Sequence, residues 1–180
     1  MQNEACGTIE KPKLLIWQAM ESRLAVYLAS FSGLSVEDRE DVLQSTLIAF
    51  WRKGPSAEAE ARPWLYRVVR NASIDTLRII KRSSSRQGQL EASDFRGTLE
   101  PEDPSLGPED SVLSHEEVSL VRKFLAALAD RERELAFLAF CEDMTYEQIA
   151  SLTGTSLGTV KWRLAGVKKR LAEHYRREMA

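Results

Sequence analysis

Cysteine and histidine are scarce in this 180-residue chain, which holds two of each. Cys6 and Cys141 lie far apart and make no CxxC pair, and His115 and His174 stand at no metal-ligand spacing. Neither a disulfide framework nor a metal site is expected, and reduced thiols in a cytoplasmic setting are. Cys141 follows the apolar run 137–140 and is expected to be buried. Long apolar runs are missing too: 25–29 and 135–141 fall far short of a membrane span. Residues 1–10 carry acids and no basic-then-apolar leader, so neither export nor direct membrane insertion is expected. No GxxxxGK phosphate loop occurs, and the acids and histidines form no spaced catalytic set. No enzyme activity and no cofactor are therefore expected.

What is present is a balance of 43% apolar and 29% charged residues. That is enough to build a core in one ordinary domain or two small ones. The net charge of −2 conceals a strong segregation. Residues 61–87 hold seven basic residues against one acidic, and 88–118 hold nine acidic against one basic. Residues 119–180 are again basic, eleven against eight. Two positive segments flanking a negative one suit a polyanionic partner, and solvated surface is the plainer alternative.

Hydrophobic periodicity is helical almost throughout, with no strand-like alternation. Residues 13–31 form a first helix, with Leu24, Leu28 and Phe31 on its apolar side. Ser35 and Asp38 make an N-terminal capping box for a second helix that runs to about Lys53, with Leu43, Leu47 and Phe50 on one face. Gly54-Pro55-Ser56 breaks it. Pro63 is placed in the first turn of a third helix, which continues to about Arg82 and buries Leu65, Val69, Ala72, Thr76 and Ile79. Over 84–110 the periodicity fades among Ser, Gly, Pro and acids, as in a linker. Helical spacing returns over 111–178. The expected fold is all-α: a helical domain at 10–83, a flexible acidic linker at 84–110, and a second helical domain at 111–178.

The second domain contains a helix-turn-helix pattern. Thr145 and Gln148 form a capping box, Ile149, Ala150 and Leu152 supply a short apolar face, and Gly154 takes the turn. Ser156 or Thr155 caps the next helix, where Val160, Leu164, Val167 and Leu171 form one apolar stripe. Thr159, Lys161, Trp162, Arg163, Ala165 and Lys169 lie off that stripe. A short helix bracing a basic one is the arrangement of a duplex DNA reader. An ordinary helical hairpin with a wet basic face has the same pattern.

In the first domain a second stripe, Asp41, Gln44, Ile48 and Trp51, mixes acid, amide and large apolar groups. A partner surface needs such a mixture, although Trp51 packed against the third helix is equally compatible. The third helix sets Arg67, Arg70, Asn71 and Arg78 near one side, with Trp64 and Tyr66 in its first turn. Cations interleaved with rings suit single-stranded nucleic acid, whereas core packing is the alternative for each ring.

Three stretches then point to one family. The run DREDVLQSTLIAFWRK over 38–53 resembles the acidic, glutamine-containing helix of bacterial RNA polymerase sigma factors. RPWLYRVVRNASIDTLR over 62–78 resembles their promoter-melting helix. ADRERE over 129–134, with the helix-turn-helix after it, resembles their C-terminal region. Order, spacing and linker are similar to the small two-domain, extracytoplasmic-function subclass.

The resemblance implies that Asp41, Gln44, Ile48 and Trp51 dock on the clamp helices of the largest subunit of core RNA polymerase. It implies that the loop 54–62 and Trp64, Arg67, Arg70, Asn71 and Arg78 capture the single-stranded minus-ten element. Thr159, Lys161, Trp162, Arg163, Ala165 and Lys169 would read the duplex minus-thirty-five element. The linker would run through the polymerase, its acidity matching a basic channel. An anti-sigma factor is a further implied partner. This chain departs from the family in having Leu128-Ala129-Asp130 where a Leu-Pro-Glu turn is usual, Trp162 where a small residue is common, and Ala165-Gly166 where larger residues are usual. Two other readings are a sigma-like decoy that titrates an anti-sigma factor and a conventional helix-turn-helix regulator. The first predicts a lost basic surface on the third helix, and the second leaves the first domain without a role.

Overall fold

The computed structural model describes residues 11–86 and 115–178. Seven helices are found there: α1 (Lys11–Ala29), α2 (Val36–Lys53), α3 (Glu58–Arg86), α4 (His115–Ala127), α5 (Asp130–Phe140), α6 (Tyr146–Thr153) and α7 (Leu157–Glu178). No strand occurs among the described residues, as the periodicity predicts. The chain divides into two compact units, one built on α1–α3 and the other on α4–α7. Residues 87–110 of the expected linker lie outside the described residues, as do 111–114 of the expected second domain and Cys6.

In the first unit the expected cap of α2 is present. The Ser35 hydroxyl accepts from the Asp38 backbone N–H at 3.1 Å, and the Asp38 carboxylate accepts from the Ser35 N–H at 3.0 Å. Two orphan donors are thereby satisfied, and the acid sits at the positive end of the helix dipole. The buried stripe of α2 is Val42, Thr46 and Phe50, not Leu43 and Leu47, which are only half-buried. Thr46 can sit inside because its hydroxyl donates to the Val42 carbonyl at 2.7 Å, leaving no polar atom unpaired.

Several expectations for α3 fail, among them the burial of Ala72 and Thr76, which are only half-buried. The helix begins at Glu58, so Pro63 lies inside it rather than in its first turn, and the preceding loop shortens to 54–57. Glu58-Ala59-Glu60-Ala61 is a run of good helix formers with acids at the dipole's positive end, and it extends the helix ahead of the proline. Ile79, expected inside, is 65% exposed, because the inward stripe is Ala61, Leu65, Tyr66, Val69 and Ser73. The helix also continues four residues beyond Arg82.

Phe50 is the aromatic centre of this unit. Its ring centroid lies 6.4 Å from Trp17, 6.1 Å from Trp51 and 6.0 Å from Trp64. Tyr27 and Tyr66, both fully buried, meet edge to face at 5.1 Å. Such tilted and edge-on pairs bring positive ring edges to negative faces and add to the burial term.

The second unit is built around Phe124, Leu128, Ala136 and Val167, with Leu125 and Leu171 packed against them. Leu138, Ile149, Val160 and Leu164 are fully buried as well. Arg133 closes the turn between α4 and α5. Its Nε donates to the Leu125 carbonyl at 2.9 Å, and its Nη2 donates to those of Ala126 at 3.0 Å and Leu128 at 2.7 Å. The last carbonyls of a helix have no partners within it, and one guanidinium serves three here. Ala129, the N-cap of α5, provides no side-chain cap. Cys141 is exposed, against expectation: it is the C-cap of α5, one residue beyond the apolar run.

Candidate nucleic-acid interface

The turn that presents α7 is built locally. Thr145 and Gln148 form the expected reciprocal cap of α6, with bonds of 3.2 and 2.9 Å. Gly154 ends α6 in the left-handed region at φ 64, where a Cβ would clash with the following carbonyl. The cap of α7 is Ser156, whose hydroxyl accepts from the Thr159 N–H at 3.2 Å. Val160, Leu164 and Val167 then face the core, so that the opposite side of α7 is turned outward.

On that outward side lie Trp162, Ala165 and Lys169, all exposed, with exposed Lys161 beside them. Thr159 and Arg163 are half-buried at the margin. Two further cations are engaged with the protein. Arg170 pairs with Glu132 of α5 at 2.7 Å, and Lys168 Nζ lies 5.4 Å from the centre of the Phe140 ring. These two contacts join α5 to the basic side of α7, and spacing along α7 alone could not have revealed them.

In the first unit, the stripe Asp41, Gln44, Ile48 and Trp51 lies opposite the buried stripe of α2. The first three are exposed, and Trp51 is half-buried against Phe50. Asp41 and Gln44 also border a groove of about 380 Å³ between α1 and α2, floored by Trp17, Leu43 and Leu47 and edged by Glu21 and Glu40. Sequence reasoning missed this groove, because Trp17 and Leu43 come from different helices. On α3, Arg67, Asn71 and Arg78 form one exposed stripe, with Arg70 half-buried at its edge. Arg78 and Asp75 form an exposed ion pair at 2.9 Å, of the kind that water screens. Trp64 is half-buried against Phe50 and Tyr66 is fully buried, so core packing is the role of Tyr66.

Arg39, in the first turns of α2, has a half-buried guanidinium whose Nε finds no hydrogen-bond partner. Desolvation holds it below the ordinary arginine value. Among the described residues no cluster of His, Cys, Asp and Glu could hold a metal, and no helix is long and apolar enough to cross a membrane.

Comparison with known proteins decides the family. Residues 17–83 match Sigma-70 region 2, and residues 119–171 match Sigma-70, region 4. The ECF RNA polymerase sigma factor SigL of Mycobacterium tuberculosis is 32% identical over 128 residues, 69% of this chain and 67% of that one. The chain belongs to the ECF RNA polymerase sigma factors. The ECF RNA polymerase sigma factor RpoE of Cereibacter sphaeroides is 28% identical over 79% of this chain and 75% of its own. The sigma factor RpoE of Bartonella quintana, solved in complex with the anti-sigma factor NepR, shares the fold with a TM-score of 0.64 at 22% identity. That match covers 93% of this chain and 98% of the other. This sigma factor is thus a transcription initiation factor, and its partners are core RNA polymerase and promoter DNA.

Within this sigma factor, region 2 spans the α2 and α3 stripes, and region 4 spans α5, α6 and the basic side of α7.

Proposed function

We propose that the three outward faces divide the work of initiation. The α2 stripe Asp41, Gln44, Ile48 and Trp51 holds the clamp helices of the largest polymerase subunit. The α3 stripe holds the unpaired non-template strand of the minus-ten element. Arg67, Arg70 and Arg78 take phosphates there, and Asn71 bonds a base edge beside Trp64. On α7, Lys161, Arg163 and Lys169 take phosphates of the duplex minus-thirty-five element, while Thr159, Trp162 and Ala165 face the base edges. The two domains, 10–83 and 111–178, then act at separate promoter elements. The protein itself makes and breaks no bond. It supplies sequence selectivity to the polymerase and offsets the few kcal/mol that unstacking a base costs.

The observation that carries this reading is the α3 stripe: Arg67, Asn71 and Arg78 are exposed while Leu65, Tyr66 and Val69 of the same helix are fully buried. The exposed cations support initiation over a decoy, which has no use for them. An anti-sigma factor is a further proposed partner, since a solved relative of the same fold is held by one.

Run-off transcription from a genomic fragment pool tests the assignment. Core polymerase supplemented with this chain should yield promoter-specific transcripts, and the double substitution Arg70→Ala and Asn71→Ala should abolish them while core binding persists. Tight core binding without transcripts would favour the decoy. Absence of core binding would overturn the reading.

A further inference from the structure

Trp162 is the most exposed large apolar side chain among the described residues, at 76%. It stands on the outward side of α7, opposite Val160, Leu164 and Val167, and so has no part in the core. Its neighbours on the helix surface are small, Thr159 the largest of them. Gly158 and Gly166 lie one turn before and one turn after it, and Ala165 is beside it. A Cβ built on either glycine meets nothing within 4 Å, so packing inside the protein does not require glycine at either position. Lys161 precedes it in the chain and is exposed, Lys169 lies two turns further along the same side and is exposed, and Arg163 is half-buried at the margin. The result is one flat apolar group projecting from a helix surface of small residues, with exposed cations on the same side of the helix.

An indole has a narrow chemical repertoire in a groove. It donates through Nε1 and accepts nothing, and its ring is apolar. The major groove of duplex DNA offers donors, acceptors and a single apolar group, the thymine C5-methyl. We infer that Trp162 is a specificity-determining residue that reads a thymine methyl in the upstream promoter element. The small neighbours let the helix approach closely enough for the ring to reach the base edge, and the exposed Lys161 and Lys169 take phosphates. This inference rests on the proposed duplex-reading role of α7.

The test uses holoenzyme, made from core polymerase and the full chain, and duplexes that it selects from a pool randomised across the upstream element. Each thymine in a selected element is replaced singly by deoxyuridine, which removes the methyl and leaves pairing intact. One replacement should weaken wild-type binding about four-fold, the value of one buried methyl. The same replacement should leave Trp162→Ala binding unchanged, and Trp162→Phe should retain part of the sensitivity. Thermal melting of both variants should match wild type, since the side chain is outside the core.

Selected elements without thymine, or deoxyuridine replacements that are all neutral, would overturn the inference. So would a methyl effect that persists in Trp162→Ala. In those cases weakened binding by Arg163→Ala and Lys169→Ala would show that α7 still reads duplex. Unchanged binding by those two variants would overturn the reading of α7 and the inference with it.

Discussion

Glu132 Oε1 and Arg170 Nη2 lie 2.7 Å apart, joining the first turn of α5 to the basic side of α7. The pair has a consequence for DNA binding because Arg170 belongs to the cations flanking the recognition surface. Its charge is partly neutralised by a neighbour of the same unit, and the carboxylate adds a repulsive term toward phosphate. Both side chains are partly open to water, at 47% and 24%, so the pair contributes at most about 1 kcal/mol to stability. Glu132→Gln should therefore leave the melting temperature within a few degrees of wild type. Promoter affinity should rise roughly three-fold, and the dependence of log affinity on log salt should steepen by about one ion. Titrations at several salt concentrations check this, and a weaker complex would contradict it.

Arg133 presents the opposite case, a charge whose work is internal. Its guanidinium serves three carbonyls at the end of α4 and also meets Asp130 Oδ1 at 3.0 Å. Lysine offers a point charge and cannot reproduce a planar fork. Arg133→Lys should cost about 2 kcal/mol, and Arg133→Ala about 3 kcal/mol or more, since buried carbonyls are left unpaired. For a unit of this size each kcal/mol corresponds to roughly 4–8 °C in melting temperature. Calorimetry on the two variants, with lysine as stable as arginine, would contradict the account.

Gly154 and Gly166 should respond to alanine with opposite signs. At Gly154, φ is 64, and alanine there carries about 1–2 kcal/mol of backbone strain. At Gly166 the backbone is helical, a Cβ meets nothing, and alanine should stabilise by about 1 kcal/mol. If the helix surface beside Trp162 approaches DNA closely, Gly166→Ala should also weaken promoter binding several-fold despite the gain in stability. Denaturant melts and binding titrations on the same preparations separate the two effects.

Neighbouring positions on α2 should likewise divide between folding and docking. Phe50 is fully buried among Trp17, Trp51 and Trp64, so Phe50→Ala should cost about 3–5 kcal/mol. Ile48 is 48% exposed on the outward stripe. Ile48→Lys should leave melting almost unchanged and weaken core polymerase binding by roughly ten-fold or more, because it places a charge where an apolar contact is proposed. A loss of core binding only in step with a loss of folding would argue against the stripe as a docking face.

Much of the local structure was legible because its causes are local. The capping boxes at Ser35 and Thr145 each lie within four residues, and the bonds found there are those that the residue types predict. The left-handed turn at Gly154 and the stripe Val160, Leu164 and Val167 were visible for the same reason. Pro63 lies inside α3, not in its first turn, because the helix-forming run Glu58-Ala59-Glu60-Ala61 extends the helix ahead of it. Cys141 is exposed because the apolar run ends with the helix, and the C-cap position one residue on no longer follows the inward stripe.

Other features depend on which helix covers which. Leu43 and Leu47 were as plausible inward residues as Val42 and Thr46. The choice follows from where α1 and α3 pack, and Thr46 is admitted only because its hydroxyl bonds within the helix. Ile79 ends a series whose earlier members Leu65 and Val69 are covered while it is not, and Trp51 and Trp64 are half-withdrawn because both reach Phe50. The groove edged by Glu21, Glu40 and Asp41 and the pairing of Glu132 with Arg170 join residues distant in the chain. Helical content, caps, the turn and the family thus come from short-range spacing, since hydrogen bonds and side-chain periodicity within a helix repeat every few residues. Burial of a particular side chain is a property of the neighbours that exclude water from it, and those are assembled only when the helices pack.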